Sequence, residues 1–258
     1  MRIAACIVAY NPDVVLLRQN LDAFVHFVQH VYIWWNSPII TKDFSSDNVS
    51  YLGDGTNNLI ATALNECLKQ CLHDGYDFLL TMDQDSVFEN FSRFLDFVSK
   101  YYDDKIIAYT PNVNSKQVRQ EECKFIDYAY TSGSLCKVDS CIAIGGFRED
   151  YGIDWVDAEF CHRAQVNGYR LVCLTECPLA HRLGGSYGPF RYFHIFRNMI
   201  WMHREYLENP TLRTMLVTMR FYVRAIVRSP RSVRNIIACL HGSIVGIFQS
   251  PKRQLIHE

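Results

Sequence analysis

The stretch FLLTMDQDS at residues 78–86 decides how the rest of the chain is interpreted. Its apolar start, residues 78–82, has the length and composition of a buried strand, and Asp83 and Asp85 follow immediately. Strand alternation points both carboxylates to the same side at the exposed end of this strand. Such a pair can bind a hard divalent cation, which in turn holds a diphosphate, although an isolated Asp-x-Asp is more often a solvated turn.

The sequence around this stretch alternates short apolar runs with segments of helical period. It predicts strands at 3–8, 31–35, 49–52 and 78–82, and helices at 14–28 and 58–73. Alternation of this kind predicts a mostly parallel sheet covered by helices on both faces. Ligands of such sheets bind at the carboxyl ends of the strands, so we expect chemistry at residues 10–12, 36–38 and 83–86.

The second half of the chain is less regular. It predicts a strand near 125–130, a Gly-rich turn at 132–134, helices at 139–144 and 155–167, and a strand at 169–174. Beyond Gly184 and Gly185 it predicts only long helices, broken at Pro210 and Pro230. We therefore expect one main domain over residues 1–185 and a helical extension over residues 186–258.

Composition and charge support this division. With 49% hydrophobic and 21% charged residues over 258 positions, the chain is globular, which excludes disorder, collagen and a coiled coil. The net charge of −1 hides a net of −9 over residues 1–185 and of +8 over residues 186–258. This asymmetry indicates an acidic or metal-binding head and a basic tail that meets something anionic.

The ten cysteines and the apolar runs bear on location. The N-terminal sequence lacks the features of a secretory signal, and no Cys-x-x-Cys pair occurs, so we expect buried free thiols in a cytoplasmic protein. The longest apolar stretch, residues 236–248, is about thirteen residues long, whereas a membrane span needs about 20.

Two further features depend on predicted helices. Asp157 and Glu159 open the helix at 155–167, where free backbone amides keep a carboxylate ionised, so either can accept a proton or serve only as a cap.

In the extension, one side of a helix predicted at 212–227 carries Arg213, Arg220, Arg224 and Arg228. This basic face suits an anionic membrane surface or a solvated face of a packed helix, and nucleic acid is not expected because no binding motif accompanies it.

Seven ordered pieces of the sequence resemble one enzyme family. They are VAYNPD at 8–13, the Asn-rich segment at 57–65, DQDS at 83–86, TSGS at 131–134, GGF at 145–147, IDWVDAEFC at 153–161 and AHRLG at 180–184. Together they are similar to the inverting glycosyltransferase family 2, most of all to its bacterial rhamnosyltransferase branch, over about residues 2–200. The resemblance implies a GT-A fold, a Rossmann-like and mostly parallel sheet flanked by helices, with a nucleotide-sugar part at about 1–110 and an acceptor part at about 111–185.

The resemblance also implies roles for individual residues. Asp157 would be the catalytic base, and Asp83, Asp85 and His181 would hold Mg2+ or Mn2+. The residues expected to contact substrate are Tyr10, Asn11, Asn36, Asn57, Asn65, Asp83, Ser132, Gly133 and Glu159. The chain departs from the family at two positions. Trp35 stands where an Asp is usual, and its indole could stack on the nucleotide base. Leu59 stands where a Gly is usual, and its side chain would narrow the pocket.

The implied reaction transfers L-rhamnose from dTDP-L-rhamnose, with inversion, onto a polyprenyl-linked or growing cell-surface glycan, as in O-antigen synthesis. Other nucleotide sugars, such as UDP-galactose or UDP-glucose, remain open, as does a non-catalytic subunit of a glycan-assembly complex. The enzyme would act in the cytoplasm or peripherally on the inner face of the cell membrane, with the basic tail toward anionic lipid.

Overall fold

The structure is a computed structural model that describes residues 1–41, 44, 47–113, 121–181, 188–206, 219–220, 222–224, 226–228 and 231–252. The boundary expected between residues 185 and 186 lies outside these ranges. So do Pro210, Pro230, Arg213 and most of the helix expected at 212–227.

Nine strands and seven α-helices make up the described part of the chain. The strands are β1 (Ile3–Ala9), β2 (His30–Trp35), β3 (Val49–Leu52), β4 (Phe78–Asp83), β5 (Ser86–Phe88), β6 (Ile106–Val113), β7 (Cys123–Ile126), β8 (Ser134–Lys137) and β9 (Arg170–His181). The helices are α1 (Val14–Asp22), α2 (Leu59–His73), α3 (Phe91–Lys100), α4 (Val138–Ala143), α5 (Val156–Val166), α6 (Pro189–Tyr206) and α7 (Ser232–Phe248).

All nine strands form one sheet in the order β3-β2-β1-β4-β8-β6-β9-β5, with β7 also paired to β9. The pairs among β3, β2, β1 and β4 are parallel, as expected for the first half of the chain. Strand β8 runs antiparallel to both β4 and β6, and β5 and β7 run antiparallel to β9. The second half of the sheet is therefore mixed. The sequence did not predict these strand directions, because the pairs join segments that are far apart in the chain and local patterns do not specify such pairs.

Both faces of the sheet are covered, which confirms the expected α/β class. Alternate residues of β1 point to two separate cores, Ile3 and Ile7 to one and Ala4 and Cys6 to the other. Helices α1 and α3 pack on the first face, and α2, α4 and α5 pack on the second. All ten cysteines are free thiols and nine of them are buried, as the apolar runs around them suggested.

Several element boundaries differ from expectation. The helix expected at 14–28 ends at Asp22 and gives way to a short 3-10 turn, and the strand expected near 125–130 ends at Ile126. Strand β9 extends to His181, seven residues beyond the predicted end, because its second half pairs with β5 and with the end of β6. This extension carries His181 to the edge of the sheet where β4 also ends.

Helix α6 is firmly joined to the head. The side-chain amide of Asn198 donates to the carbonyl oxygens of Tyr151, Ile153 and Asp154 at 2.8–2.9 Å, and Trp201 is buried in the core that contains α2 and α5. Helix α7 packs along α6. In the described ranges, we find no helix with the length and apolar character needed to cross a bilayer.

Candidate functional site

A cleft of about 1370 Å³ opens at the carboxyl ends of β1, β2 and β4. The chain moves outward from β1 to β2 and β3 and then returns to the other side of β1 as β4, so the cleft lies where the strand order reverses. This is where open α/β sheets bind their ligands. Among the residues expected from the sequence, the cleft is lined by Tyr10, Asn11, Asn36, Asn57, Asp83, Asp85, Asp157 and His181.

Asp83, Asp85 and His181 meet at one side of the cleft. Each offers a ligand atom, and these three atoms lie within 4.8 Å of one another. Nε2 of His181 lies 3.8 Å from Oδ2 of Asp83. The expected metal-binding residues are thus brought together from the end of β4, the turn after it and the end of β9.

Two serines hold this cluster from behind. Ser86 Oγ is hydrogen-bonded to Nδ1 of His181 at 2.6 Å, and Ser132 Oγ donates to Ser86 Oγ at 2.6 Å. The backbone N–H of Asp83 donates to Ser132 Oγ at 3.3 Å. A histidine whose second ring nitrogen is held by a neighbour is typical of metal sites. Ser132, expected to contact substrate, is itself fully buried and instead positions the cluster.

The electrostatics of the cluster favour the arrival of a cation. The pKa of Asp83 is raised to about 6, because burial raises it, His181 lowers it, and the carboxylates of Asp85 and Asp157 raise it again. The ionised form of Asp83 is therefore held at a cost in the metal-free protein. A bound cation would remove that cost.

Asp157 lies at the start of α5 and faces the same cleft. Its Oδ1 accepts from the backbone N–H of Ala158 at 2.8 Å, and its Oδ2 accepts from the hydroxyl of Tyr128. Burial raises the pKa of Asp157, and the two hydrogen bonds oppose that rise. A half-buried carboxylate with a raised pKa and a fixed orientation is suited to accept a proton.

The turn before α5 fixes the direction of Asp157. Asp154 and Trp155 both have left-handed backbone conformations, with φ of 56° and 65°. Arg191 of α6 holds Asp154 through two hydrogen bonds, at 2.5 and 3.2 Å. Left-handed residues other than glycine cost free energy and persist where surrounding contacts impose them. Helix α6 therefore helps to build the wall of the cleft.

On the opposite wall, the loop after β1 is fixed by the DQDS segment. The side chain of Gln84 accepts from the N–H of Tyr10 at 2.7 Å and donates to its carbonyl at 3.2 Å. Asn11 has a left-handed backbone, with φ of 46°, and its N–H donates to Ser37 Oγ. Tyr10 and Asn11 thus present their side chains at the cleft, as the resemblance implies.

Asn36 and Asn57 shape the same wall in different ways. Asn36 is buried, and its side chain joins Trp34 Nε1 at 2.9 Å to the backbone of residues 58 and 59. Asn57 is exposed, and its Oδ1 accepts from the N–H of Leu59 at 3.1 Å. Both line the cleft, and Asn36 does so as part of a fixed network.

Besides Ser132, three more of the expected substrate contacts do not line the cleft. Asn65 is fully buried and bonds to the backbone N–H and carbonyl of Phe147, which ties α2 to the following turn. Gly133 has φ of +79°, and a Cβ there would lie 2.7 Å from Pro111, so glycine is required for packing. For these two residues the geometry indicates structural roles.

Glu159 is the last of the expected substrate contacts that do not line the cleft. It is fully buried, paired with Arg163 at 2.8 Å and hydrogen-bonded to Tyr206 at 2.5 Å. Two residues along a helix are about 200° apart around its axis, so Glu159 cannot face the cleft that Asp157 faces. The expectation of a substrate contact at Glu159 is therefore corrected. Its carboxylate instead joins the first turn of α5 to α6 through Tyr206.

The two departures from the family differ in consequence. Trp35 is fully buried in the core below the sheet, so the suggestion that it stacks on a base is wrong. Leu59 lines the cleft with a φ of +64° and packs against Gly152. The usual glycine of the family thus coincides with a backbone conformation that glycine adopts freely.

Sequence reasoning missed four residues of the cleft. Tyr128 and Tyr130 line it from the segment before TSGS, where alternation across residue 129 was an available signal. Gln84 also lines the cleft, and it lies between Asp83 and Asp85 in the DQDS motif. Arg191 also lines the cleft, and nothing in the sequence around it indicates its pairing with Asp154.

Comparisons with known proteins agree with this geometry. No model of a protein family matches the chain. A curated relative, the dTDP-rhamnosyl transferase RfbF of Shigella flexneri, is 25% identical over 79% of this chain and 80% of its own length.

Solved structures share the fold at low sequence identity. S. aureus TarS 1–349 in complex with UDP-GlcNAc matches 96% of this chain and 82% of its own, with a TM-score of 0.59 and 13% identity. The mannosyltransferase PcManGT of Pyrobaculum calidifontis, in complex with GDP-Man and Mn2+, matches 96% and 87%, with a TM-score of 0.58 and 11% identity. The chain spans 44% of a longer TarS structure. The chain thus has the GT-A glycosyltransferase fold, and in sequence it is similar to a curated dTDP-rhamnosyl transferase.

Proposed function

We propose that the chain transfers L-rhamnose from dTDP-L-rhamnose, with inversion, onto a hydroxyl of a lipid-linked or growing cell-surface glycan. The observation that carries this proposal is the position of two chemically distinct groups in one cleft. The Asp83, Asp85 and His181 cluster lies at the end of β4, and the carboxylate of Asp157 faces the same space from the start of α5.

The cluster fits a divalent cation. Two carboxylate oxygens and an imidazole nitrogen are ligands that Mn2+ accepts, and Mg2+ prefers an all-oxygen set, so the histidine favours Mn2+. When bound, the ion would neutralise the charge that develops on the departing nucleoside diphosphate. The mannosyltransferase with the same fold was solved with Mn2+, which supports this choice.

The protein's own groups account for the acceptor side of the reaction. Asp157 would take the proton from the acceptor hydroxyl while the oxygen forms its bond to C1 of the sugar. The bond from C1 to the diphosphate oxygen breaks on the opposite face, so a single displacement inverts the anomeric configuration. Tyr128 and the N–H of Ala158 hold the Asp157 carboxylate in place for this step.

The donor is the finer part of the proposal. The curated relative is named as a dTDP-rhamnosyl transferase, which supports dTDP-L-rhamnose. The fold neighbours were solved with UDP-GlcNAc and GDP-Man, so the fold accommodates several nucleotides. UDP-galactose and UDP-glucose are the competing donors to test. A non-catalytic role is the other alternative, and it would draw support from the departures at Trp35 and Leu59, of which Trp35 lies in the core and Leu59 lines the cleft.

The basic extension supports an acceptor at a membrane. Residues 209–257 contain eight Lys and Arg residues and no Asp or Glu. Anionic lipid attracts such a segment, which would bring the cleft to a lipid-linked acceptor on the inner face of the membrane.

A nucleotide screen tests the proposal. We expect dTDP with Mn2+ to raise the Tm more than UDP or GDP does, and the shift to disappear in EDTA or in Asp85→Ala. Hydrolysis of dTDP-L-rhamnose should exceed that of UDP-galactose and UDP-glucose in the presence of Mn2+. Asp96→Ala, which removes an exposed carboxylate of α3, is the matched control and should behave as wild type. Equal dTDP affinity with and without metal would overturn the metal role, and preferred hydrolysis of a UDP-sugar would overturn the assigned donor.

A further inference from the structure

Helix α7 turns a continuous apolar surface away from the protein. Six aliphatic or aromatic side chains are each 53–80% exposed: Val233, Ile237, Leu240, Ile244, Ile247 and Phe248. At about 100° per residue they fall within an arc of about 100°, and they extend over about 22 Å of the helix. An ordinary surface helix shows charged and polar residues on this side. We call these six residues the outer face of α7.

The side of α7 that packs on α6 is built from small residues. Gly242 and Gly246 are buried, and Cys239 and Asn235 lie on the same side. A Cβ at Gly242 would lie 2.2 Å from the carbonyl oxygen of Phe193, and one at Gly246 would lie 2.9 Å from Cβ of Ile200. The two helices therefore approach so closely that only glycine fits at these two positions.

This arrangement reverses the pattern of a helix in water. Small residues face the neighbouring helix and large apolar residues face outward, which is the packing found between helices surrounded by lipid. The spacing of Gly242 and Gly246 is the Gly-x-x-x-Gly spacing that allows such close approach. In water the outer face of α7 would be left without a partner.

The charge around α7 identifies what covers it. Exposed basic side chains precede the helix at Arg228 and Arg231, lie at its start at Arg234, and follow it at Lys252. No acidic residue occurs between Glu208 and Glu258 in the sequence. A second copy packed α7 against α7 would bring two such positive segments together, whereas anionic headgroups would complement them.

We propose that α7 lies in the plane of an anionic bilayer, with its outer face inserted among the lipid chains and its basic flanks at the headgroups. The inference rests on α6, α7 and the charge of the segment, and it does not depend on the reaction proposed for the cleft. It adds an apolar insertion element to the electrostatic attraction of the extension.

Vesicle flotation with matched variants tests this inference. We expect wild-type protein to float with vesicles of equal POPC and POPG at low salt and to float much less with POPC alone. Changing Ile237, Leu240 and Ile244 together to Ser should reduce vesicle binding about tenfold or more. The matched control changes Val15, Leu72 and Val166 to Ser, which removes exposed apolar side chains from the head and should leave binding unchanged.

A second pair of measurements separates insertion from attraction. A variant with Gln at Arg220, Arg224 and Arg228 should bind vesicles more weakly at low salt. The vesicle binding that this variant retains should depend less on salt than that of wild type. In Phe248→Trp, lipids brominated on the acyl chains should quench additional fluorescence beyond that of the four native tryptophans, whereas Val15→Trp should add none. Unchanged circular dichroism and an unchanged dTDP-induced Tm shift would show that the serine variant still folds and keeps its cleft.

Three results would overturn the inference. The first is wild-type protein that is not recovered with POPG-containing vesicles at low salt. The second is a serine variant that floats as wild type does. The third is wild-type protein that is dimeric without lipid while the serine variant is monomeric. The last result would assign the outer face of α7 to a second copy of the chain. Failure of dTDP binding with vesicle binding intact would instead count against the proposed function alone.

Discussion

The hydroxyl of Tyr128 donates a hydrogen bond to Oδ2 of Asp157, which joins the segment before TSGS to the first turn of α5. Burial raises the pKa of Asp157, and this hydrogen bond lowers it. The Asp157 carboxylate in turn raises the pKa of Tyr128, after burial, which keeps the phenol protonated and able to donate. The basicity of the proposed catalytic carboxylate is therefore set by burial on one side and by the hydrogen bonds from Tyr128 and the N–H of Ala158 on the other, of which the phenol has the larger effect.

Replacing Tyr128 with Phe should shift the pH dependence of the reaction. Without the phenol the pKa of Asp157 rises, so the carboxylate is protonated over a wider acidic range and the acidic limb of kcat/KM moves to higher pH. A hydrogen bond to a charged group is worth about 1.5–3 kcal/mol, and partial replacement by water leaves a shift of about one pH unit. The measurement is kcat/KM against pH between 5 and 9.

The control for this prediction is Tyr102→Phe, which removes an exposed phenol that bonds to Asp104 far from the cleft. Its pH profile should match that of wild type. An acidic limb unchanged in Tyr128→Phe would show that the phenol does not set the basicity of Asp157.

Asp157→Asn should separate binding from turnover. A base contributes to the transition state more than to donor binding, so nucleotide affinity should stay near that of wild type. Turnover should fall by about two to four orders of magnitude, the usual contribution of a positioned base. Isothermal titration with dTDP and Mn2+ gives the first quantity, and release of dTDP with acceptor gives the second. Normal turnover would transfer the role to Asp154, because Glu159 is held by Arg163 inside the protein.

The sequence specified the parallel half of the sheet and the cluster at its edge. Strands β1, β2, β3 and β4 are compact apolar runs, and α2 has a clear helical period, so local patterns were sufficient. The DQDS segment follows β4 directly, which placed Asp83 and Asp85 correctly. The direction of β8 depends on pairing with strands distant in sequence, and no local pattern encodes it.

The errors at Trp35 and Glu159 have a common cause. Strand alternation puts Trp34 and Asn36 on one face of the sheet and Trp35 on the other, so Trp35 and Asn36 could not both reach the cleft. Helical geometry separates Asp157 and Glu159 in the same way. In both cases two nearby residues of one motif were predicted to face the cleft, although the periodicity of the strand or helix places them on different faces.

Leu59 should show an unusual order of stability among its variants. Its φ of +64° costs a residue with a Cβ about 1 kcal/mol, and glycine avoids that cost. Leu59→Ala loses the packing against Gly152 and keeps the strain, whereas Leu59→Gly loses the packing and relieves the strain. We expect the glycine variant to be more stable than the alanine variant by roughly 0.5–1 kcal/mol in urea unfolding.

The same pair of variants at Val15 gives the control. Val15 is an exposed residue in the first turn of α1, outside the set of left-handed residues, so alanine should be more stable than glycine there. Finding alanine more stable than glycine at both positions would contradict the strain assigned to Leu59.

Asp83→Asn should stabilise the metal-free protein while removing its response to metal. The raised pKa of Asp83 means that its ionised form opposes folding near neutral pH, through burial first and then through the carboxylates of Asp85 and Asp157. A neutral amide of the same shape escapes this cost, although it also gives up the attraction to His181, 3.8 Å away, which partly offsets the burial. We expect a gain of about 1 kcal/mol in EDTA, or roughly 2–4 °C in Tm for a domain of this size.

The Tm rise that wild type shows with Mn2+ and dTDP should be absent in Asp83→Asn, because an amide is a poor ligand for the ion. Asp96→Asn, an exposed substitution on α3, should change neither quantity. If metal-free Asp83→Asn is instead less stable than wild type, the ionised carboxylate of Asp83 stabilises the fold. The metal-free protein would then carry no unfavourable free energy at this carboxylate for a cation to relieve.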